Sequence, residues 1–129
     1  MMQKVKQAIQ TKHAPAAIGP YSQAIRSGEW LFLSGQIPLD PGTGELVTGS
    51  VRSQTEQVLR NLAAVLTAAG SDMGALVKTT VYLVDLADFP EVNAVYQEFF
   101  QPPFPARATL QVAALPRGAR VEIDAVAHL

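Results

Sequence analysis

A chain of 129 residues, 48% of them apolar and 16% charged, is built to fold as one globular domain over 1–129. No apolar run approaches the ~20 residues a bilayer span needs, and a net charge of −1 argues against a nucleic-acid surface, which requires a basic stripe. With no cysteine, disulfides, thiolate catalysis and thiolate metal sites are excluded together, and a reducing compartment fits.

In chain order, MMQKVKQAIQTKH lacks the apolar core of a secretory signal, so a cytoplasmic protein is expected. Lys4–Gln10 is a short strand with Val5 and Ile9 on one side. Thr11–Ser22, with two prolines and a glycine, is loop and carries His13 and Tyr21. Gln23–Ser27 and Trp30–Ser34 alternate as strands around a Ser27-Gly28-Glu29 turn, and Pro38 ends the pair because it cannot donate to a central ladder. Leu39–Gly49 is a surface loop. Its PGTGE segment lacks the Gly-Lys-Ser/Thr ending of a phosphate loop.

From Ser50 to Ala69, Val51, Val58, Leu59, Leu62, Val65, Leu66 and Ala69 recur at helical spacing, with Thr48 or Ser50 to cap the start and Gly70 the end. Val77–Val84 is a strand apolar on both faces. Asp85–Phe89 connects it to a second helix, Pro90 to Phe100, whose inner face is Val92, Val95, Tyr96 and Phe99. The remaining stretch, FPARATLQVAALPRGARVE, reads as a β-hairpin turning at Leu115-Pro116-Arg117-Gly118, with Arg107 and Glu122 on one polar face. A guanidinium and a carboxylate on rigid strands make a candidate small-anion site; a solvated sheet face is the plainer reading.

The order β-β-β-α-β-α-β-β predicts an α+β layer, one six-stranded sheet with two helices packed on one face. Trp30–Leu33 and Val77–Val84 then leave the other face apolar and uncovered, which predicts a closed homo-oligomer packed through the sheets.

The stretches APAAIGPY (Ala14–Tyr21), SGQIP (Ser34–Pro38), Val77–Leu86, Val92-Asn93, FPAR (Phe104–Arg107), Leu115-Pro116 and Val121-Glu122-Ile123 occur together in one order over nearly the whole chain. In this the sequence resembles the RidA (YjgF) family. The resemblance implies a chorismate-mutase-like fold and a homotrimer with clefts between neighbouring subunits. It also implies hydrolysis of reactive enamines and imines, such as 2-aminoacrylate, to 2-keto acids and ammonia, without cofactor or metal. Such compounds escape from pyridoxal-phosphate-dependent dehydratases, so the role implied is metabolite damage control.

Residue by residue, the family's carboxylate-binding arginine falls on Arg107 and its water-orienting glutamate on Glu122. The pocket tyrosine falls on Tyr21 and the pocket asparagine on Asn93, while Ser34 and Gly35 match the lining loop. Thr109 stands where many members have cysteine, and still offers a hydroxyl. A guanidinium forks onto a planar carboxylate through two charge-assisted bonds, which suits a 2-imino acid. A positioned carboxyl suits water activation and proton exchange. The structural alternatives are an Arg107 paired on the surface, a Glu122 bridged to Arg120 or Arg107, a Tyr21 packed at an interface and an Asn93 acting as a local helix cap.

His13 and His128 have no spacing that suggests a metal site, Ser34 lies outside any Gly-x-Ser-x-Gly elbow, and Lys78 is read as a solvent-reaching strand residue. Two other functions stay open: a non-catalytic small-molecule-binding or regulatory trimer, and an endoribonuclease or translation inhibitor, which the charge and the lack of paired histidines disfavour. Which imino acid is preferred depends on Tyr21, Ile37, Thr109 and residues of a neighbouring subunit.

Overall fold

The structure is a computed structural model describing residues 5–129. The first strand, β1, is Gln7–Ile9; Lys4, in the span expected for it, lies outside the described residues. β2 (Ala24–Ser27) and β3 (Trp30–Gln36) pair antiparallel around Gly28, whose φ of 62° is open to glycine at little cost. β3 runs past Ser34 because a bulge absorbs the change in register. Leu33 faces Ala125 and Gln36 faces Ile123, so Ser34 and Gly35 together oppose one residue of the last strand.

Helix α1 (Val51–Ala68) starts where Ser50 accepts a hydrogen bond from the Ser53 amide at 3.1 Å, and it ends before Gly70 at φ 79°. β4 is Leu76–Leu83, and α2 (Phe89–Glu98) begins with Pro90 in its first turn. β5 is Ala106–Gln111 and β6 is Val121–His128. Together they form one mixed six-stranded sheet in the order β1-β2-β3-β6-β4-β5.

The expected hairpin does not form. β5 pairs in parallel with β4, while β6 lies between β3 and β4 and is antiparallel to both. The reason is local. β4, α2 and β5 make a strand–helix–strand unit, whose strands run parallel. β6, with Val121, Ile123, Ala125 and Ala127 fully inward, belongs at the sheet centre, whereas every residue of β5 except half-buried Thr109 is exposed, as an edge strand's can be. The Pro116–Gly118 turn is present, with Arg117 at φ 62°, but it joins strands that are not neighbours.

Both helices pack on one face in a single core. Val58, Leu59, Leu62 and Leu66 of α1 meet Leu31, Leu33, Val121 and Ile123, and Val92, Val95 and Tyr96 of α2 complete it. Buried amides fasten the loops to this core: Asn61 donates to the Leu39 carbonyl at 3.0 Å, and Gln23 donates to those of Thr11 and Pro15 at 3.1 and 2.8 Å. The other face carries no helix. There Trp30, Phe32 and Leu110 are 44%, 50% and 39% exposed, but β4, expected to be apolar on both faces, turns Lys78, Thr80 and Tyr82 to this side, so the uncovered face is apolar only in part. No helix among the described residues is long and apolar enough to cross a membrane.

Candidate active site

The site residues expected from sequence fall into two groups. Arg107 lies opposite Thr79 on β4, and Thr79 is buried beneath α2, so Arg107 projects on the helix-bearing side of the sheet at its edge. Its Nη1 donates to Asn93 Oδ1 at 2.9 Å, and its guanidinium carbon sits 4.8 Å from the centre of the Tyr96 ring and 5.3 Å from that of Phe89. Thr109, two residues on, shares that face. Asn93, Tyr96, Gln97, Phe104, Pro105 and Arg107 line a groove of about 460 Å³. Among the described residues no carboxylate pairs with Arg107, whereas Arg52 and Arg120 hold Glu98 and Asp88.

Glu122 lies opposite Tyr82, three positions along β4 from Thr79. An odd offset reverses the face, so Glu122 projects from the open side of the sheet and Arg107 from the other. One chain therefore does not bring the two together, and the shared polar face expected from a hairpin is corrected. Glu122 instead gathers Ser34 and Gly35. A Cβ on Gly35 would overlap the Glu122 carboxylate and stand 2.9 Å from its carboxyl carbon, so glycine at the bulge is what lets the acid lie against β3. Ser34 Oγ donates to the Ser22 carbonyl at 2.6 Å, which ties the loop carrying Tyr21 to the same strand. Tyr21 itself is 54% exposed, its hydroxyl accepting a long 3.4 Å bond from the Ile18 amide.

Burial pushes the Glu122 carboxyl above the ordinary carboxylate range, and the neighbouring charge of Asp124 adds to the rise. Asp124 is held by the Tyr82 hydroxyl at 2.8 Å. Among the described residues no cluster of His, Cys, Asp or Glu has the makings of a metal site.

Known proteins share this arrangement of chain. The family model described as Endoribonuclease L-PSP matches residues 11–129. The chain belongs to the RidA (YjgF) family. The 2-iminobutanoate/2-iminopropanoate deaminase of Mus musculus is 53% identical over 123 residues, 95% of this chain and 91% of that protein. Among solved structures, RidA from the Antarctic bacterium Psychrobacter sp. PAMC 21119 superposes with a TM-score of 0.92 at 46% identity, covering 95% of this chain and 99% of the other. E. coli TdcF, solved with bound serine, superposes with a TM-score of 0.91 at 43% identity over 95% and 98% of the two chains.

In this RidA-family chain, sequence reasoning misses the surroundings of Arg107. It places Phe89 in a connector and Tyr96 in the core, where Tyr96 indeed lies, but does not see that the guanidinium sits over both rings. The signal is present: Phe89, Asn93 and Tyr96 recur four and three residues apart, one stripe of α2 facing Arg107.

Proposed function

We propose that this protein hydrolyses 2-enamine and 2-imino acids, such as 2-aminoacrylate, to 2-keto acids and ammonia, in the cytoplasm. Its site lies between copies of a homotrimer, where the Arg107 group of one copy meets the Glu122 group of the next. The observation that carries this reading is the state of Arg107: a preset guanidinium at a sheet edge, paired with no carboxylate among the described residues. With Nη1 given to Asn93, its Nε and Nη2 remain to fork onto a substrate carboxylate. The deaminase named among its relatives acts on such acids.

The chemistry then follows from Glu122. An enamine first takes a proton at C3 and becomes the imine. Water adds to C2 as its proton passes to the Glu122 carboxylate, forming a tetrahedral carbinolamine. That proton moves on to the nitrogen, the C–N bond breaks, and ammonia leaves as the carbinolamine hydroxyl gives its proton to the Glu122 carboxylate and the C2 carbonyl forms. A carboxyl raised toward neutrality by burial suits both directions of transfer. The opposite faces of Arg107 and Glu122, together with the exposed apolar residues of the uncovered face, support a heterologous contact between copies, and three is the number that the family resemblance implies.

The test is to generate 2-aminoacrylate from serine with a pyridoxal-phosphate-dependent dehydratase and to follow pyruvate release. The protein should accelerate release. Arg107→Ala, which removes two charge-assisted bonds, should cost roughly 10²-fold in kcat/KM. No acceleration by the wild type, where a deaminase of the family accelerates, refutes the proposal.

A further inference from the structure

We infer that Phe89 and Tyr96 are positioning residues that hold the Arg107 guanidinium in its carboxylate-binding pose. The inference rests on the proposed role of Arg107 and deepens it. An arginine on an edge strand is otherwise a mobile side chain, which loses rotamer freedom each time it binds. Here its motion is restricted before any ligand arrives. The guanidinium lies over the Tyr96 ring at 4.8 Å and the Phe89 ring at 5.3 Å, within cation–π range of both.

The rings are themselves fixed. The Tyr96 hydroxyl shares a 2.7 Å hydrogen bond with Thr79 Oγ1, and Thr79 is the residue facing Arg107 across the β4–β5 ladder. Strand register and ring placement thus come from one residue. Phe89 follows Asp88, whose carboxylate takes both of its bonds from Arg120 Nη2 at 3.1 Å and so pins the start of α2 to the start of β6.

Asn93 settles the third direction. Arginine only donates, so the Asn93 oxygen must be the atom that faces Arg107 and holds Nη1 in place.

Binding of 2-ketobutyrate, a stable 2-keto acid, to the full-length protein tests this by calorimetry, alongside hydrolysis kinetics. Phe89→Leu should weaken binding and raise KM by ~2–5-fold with kcat unchanged, and the double change with Tyr96→Leu by ~5–30-fold. Tyr96→Phe keeps the ring and should retain most of the affinity. Asn93→Asp should lose more affinity than Asn93→Ala, because the new carboxylate occupies the guanidinium itself. A readout free of ligand is the Arg107 Nε–H proton, which ring currents shift upfield and which Phe89→Leu should move back. Because Tyr96 is nearly buried, Phe89→Leu is the deciding variant. Wild-type binding with an unmoved Nε–H signal overturns the inference, as does a Phe89→Leu effect that persists in an Arg107→Ala background. Undiminished 2-ketobutyrate binding by Arg107→Ala, where the wild type shows the Nε–H shift and Phe89→Leu moves it back, overturns instead the carboxylate role beneath it.

Discussion

Gly35→Ala isolates the role of the bulge. The added Cβ would overlap a Glu122 carboxylate oxygen, and would stand 2.9 Å from the carboxyl carbon and 3.2 Å from Cγ. Carbon atoms rest at about 3.5–4.0 Å and the overlapping oxygen lies nearer still, so the carboxyl must retreat by about 1 Å or more. The obstacle is the end of a movable side chain, and Gly35 does not have the left-handed backbone that favours glycine. Stability should therefore change by less than about 1 kcal/mol. Activity should not be so tolerant, because a displacement of about 1 Å in a reacting group can cost roughly 10²-fold. The assay is kcat/KM for pyruvate release from 2-aminoacrylate, paired with thermal unfolding. Glu122→Ala, which removes the atoms that the added methyl would strike, supplies the second arm of a double-mutant cycle. In that background Gly35→Ala should cost almost nothing further. A Gly35→Ala enzyme within about threefold of wild type, or the same loss with Glu122 removed, would refute the reasoning.

Two further outcomes are expected. Glu122 holds its proton above its ordinary value of 4.5, so between that value and its higher folded value the native state keeps a proton that the unfolded chain has released. Stability then falls as pH rises through that window, and kcat/KM climbs through it as the base ionises; both trends should disappear in Glu122→Gln, as melts and rate profiles across the window will show. Phe32→Glu puts a charge on the uncovered sheet face, where Phe32 is 50% exposed. If the proposed trimer packs through this face, the variant should be a folded chain of about 13.8 kDa by light scattering where the wild type has three times that mass, with hydrolysis lost. An active monomer from this variant speaks against a site between copies, and an active trimer against this sheet face as the contact.

Much of the fold was legible because two periodicities carry it. The three- and four-residue recurrence from Val51 to Leu66 exists because one stripe of α1 must be buried, and Ser50 and Gly70 mark its ends by backbone chemistry that acts locally. Alternation in Val121–Ala127 likewise records a strand with one face in the core. Strand neighbours are a different matter. Alternation states that β5 and β6 each have two faces, but not which strand sits beside which. The adjacency of these strands in sequence suggested a hairpin, and the alternative rested on the strand–helix–strand order of β4, α2 and β5, a non-local constraint.

That pairing error is also what hid the shape of the candidate site. Within a hairpin, Arg107 and Glu122 share a face or not according to the parity of their cross-strand pairing, and no local signal fixes that parity. With β4 inserted between their strands, parity is counted through it: Arg107 against Thr79, Glu122 against Tyr82, and an odd difference of position. The two residues must then point to opposite sides of the sheet, however the side chains rotate. Residue identity thus made Arg107 and Glu122 legible as candidates, because a forked cation and a movable proton are chemical properties of single side chains. Whether one chain suffices to join them is a property of register. If the two act on one substrate, as proposed, the same count of strand positions that removes the hairpin calls for a second copy, and the exposed Trp30, Phe32 and Leu110 mark an apolar face on which it could rest.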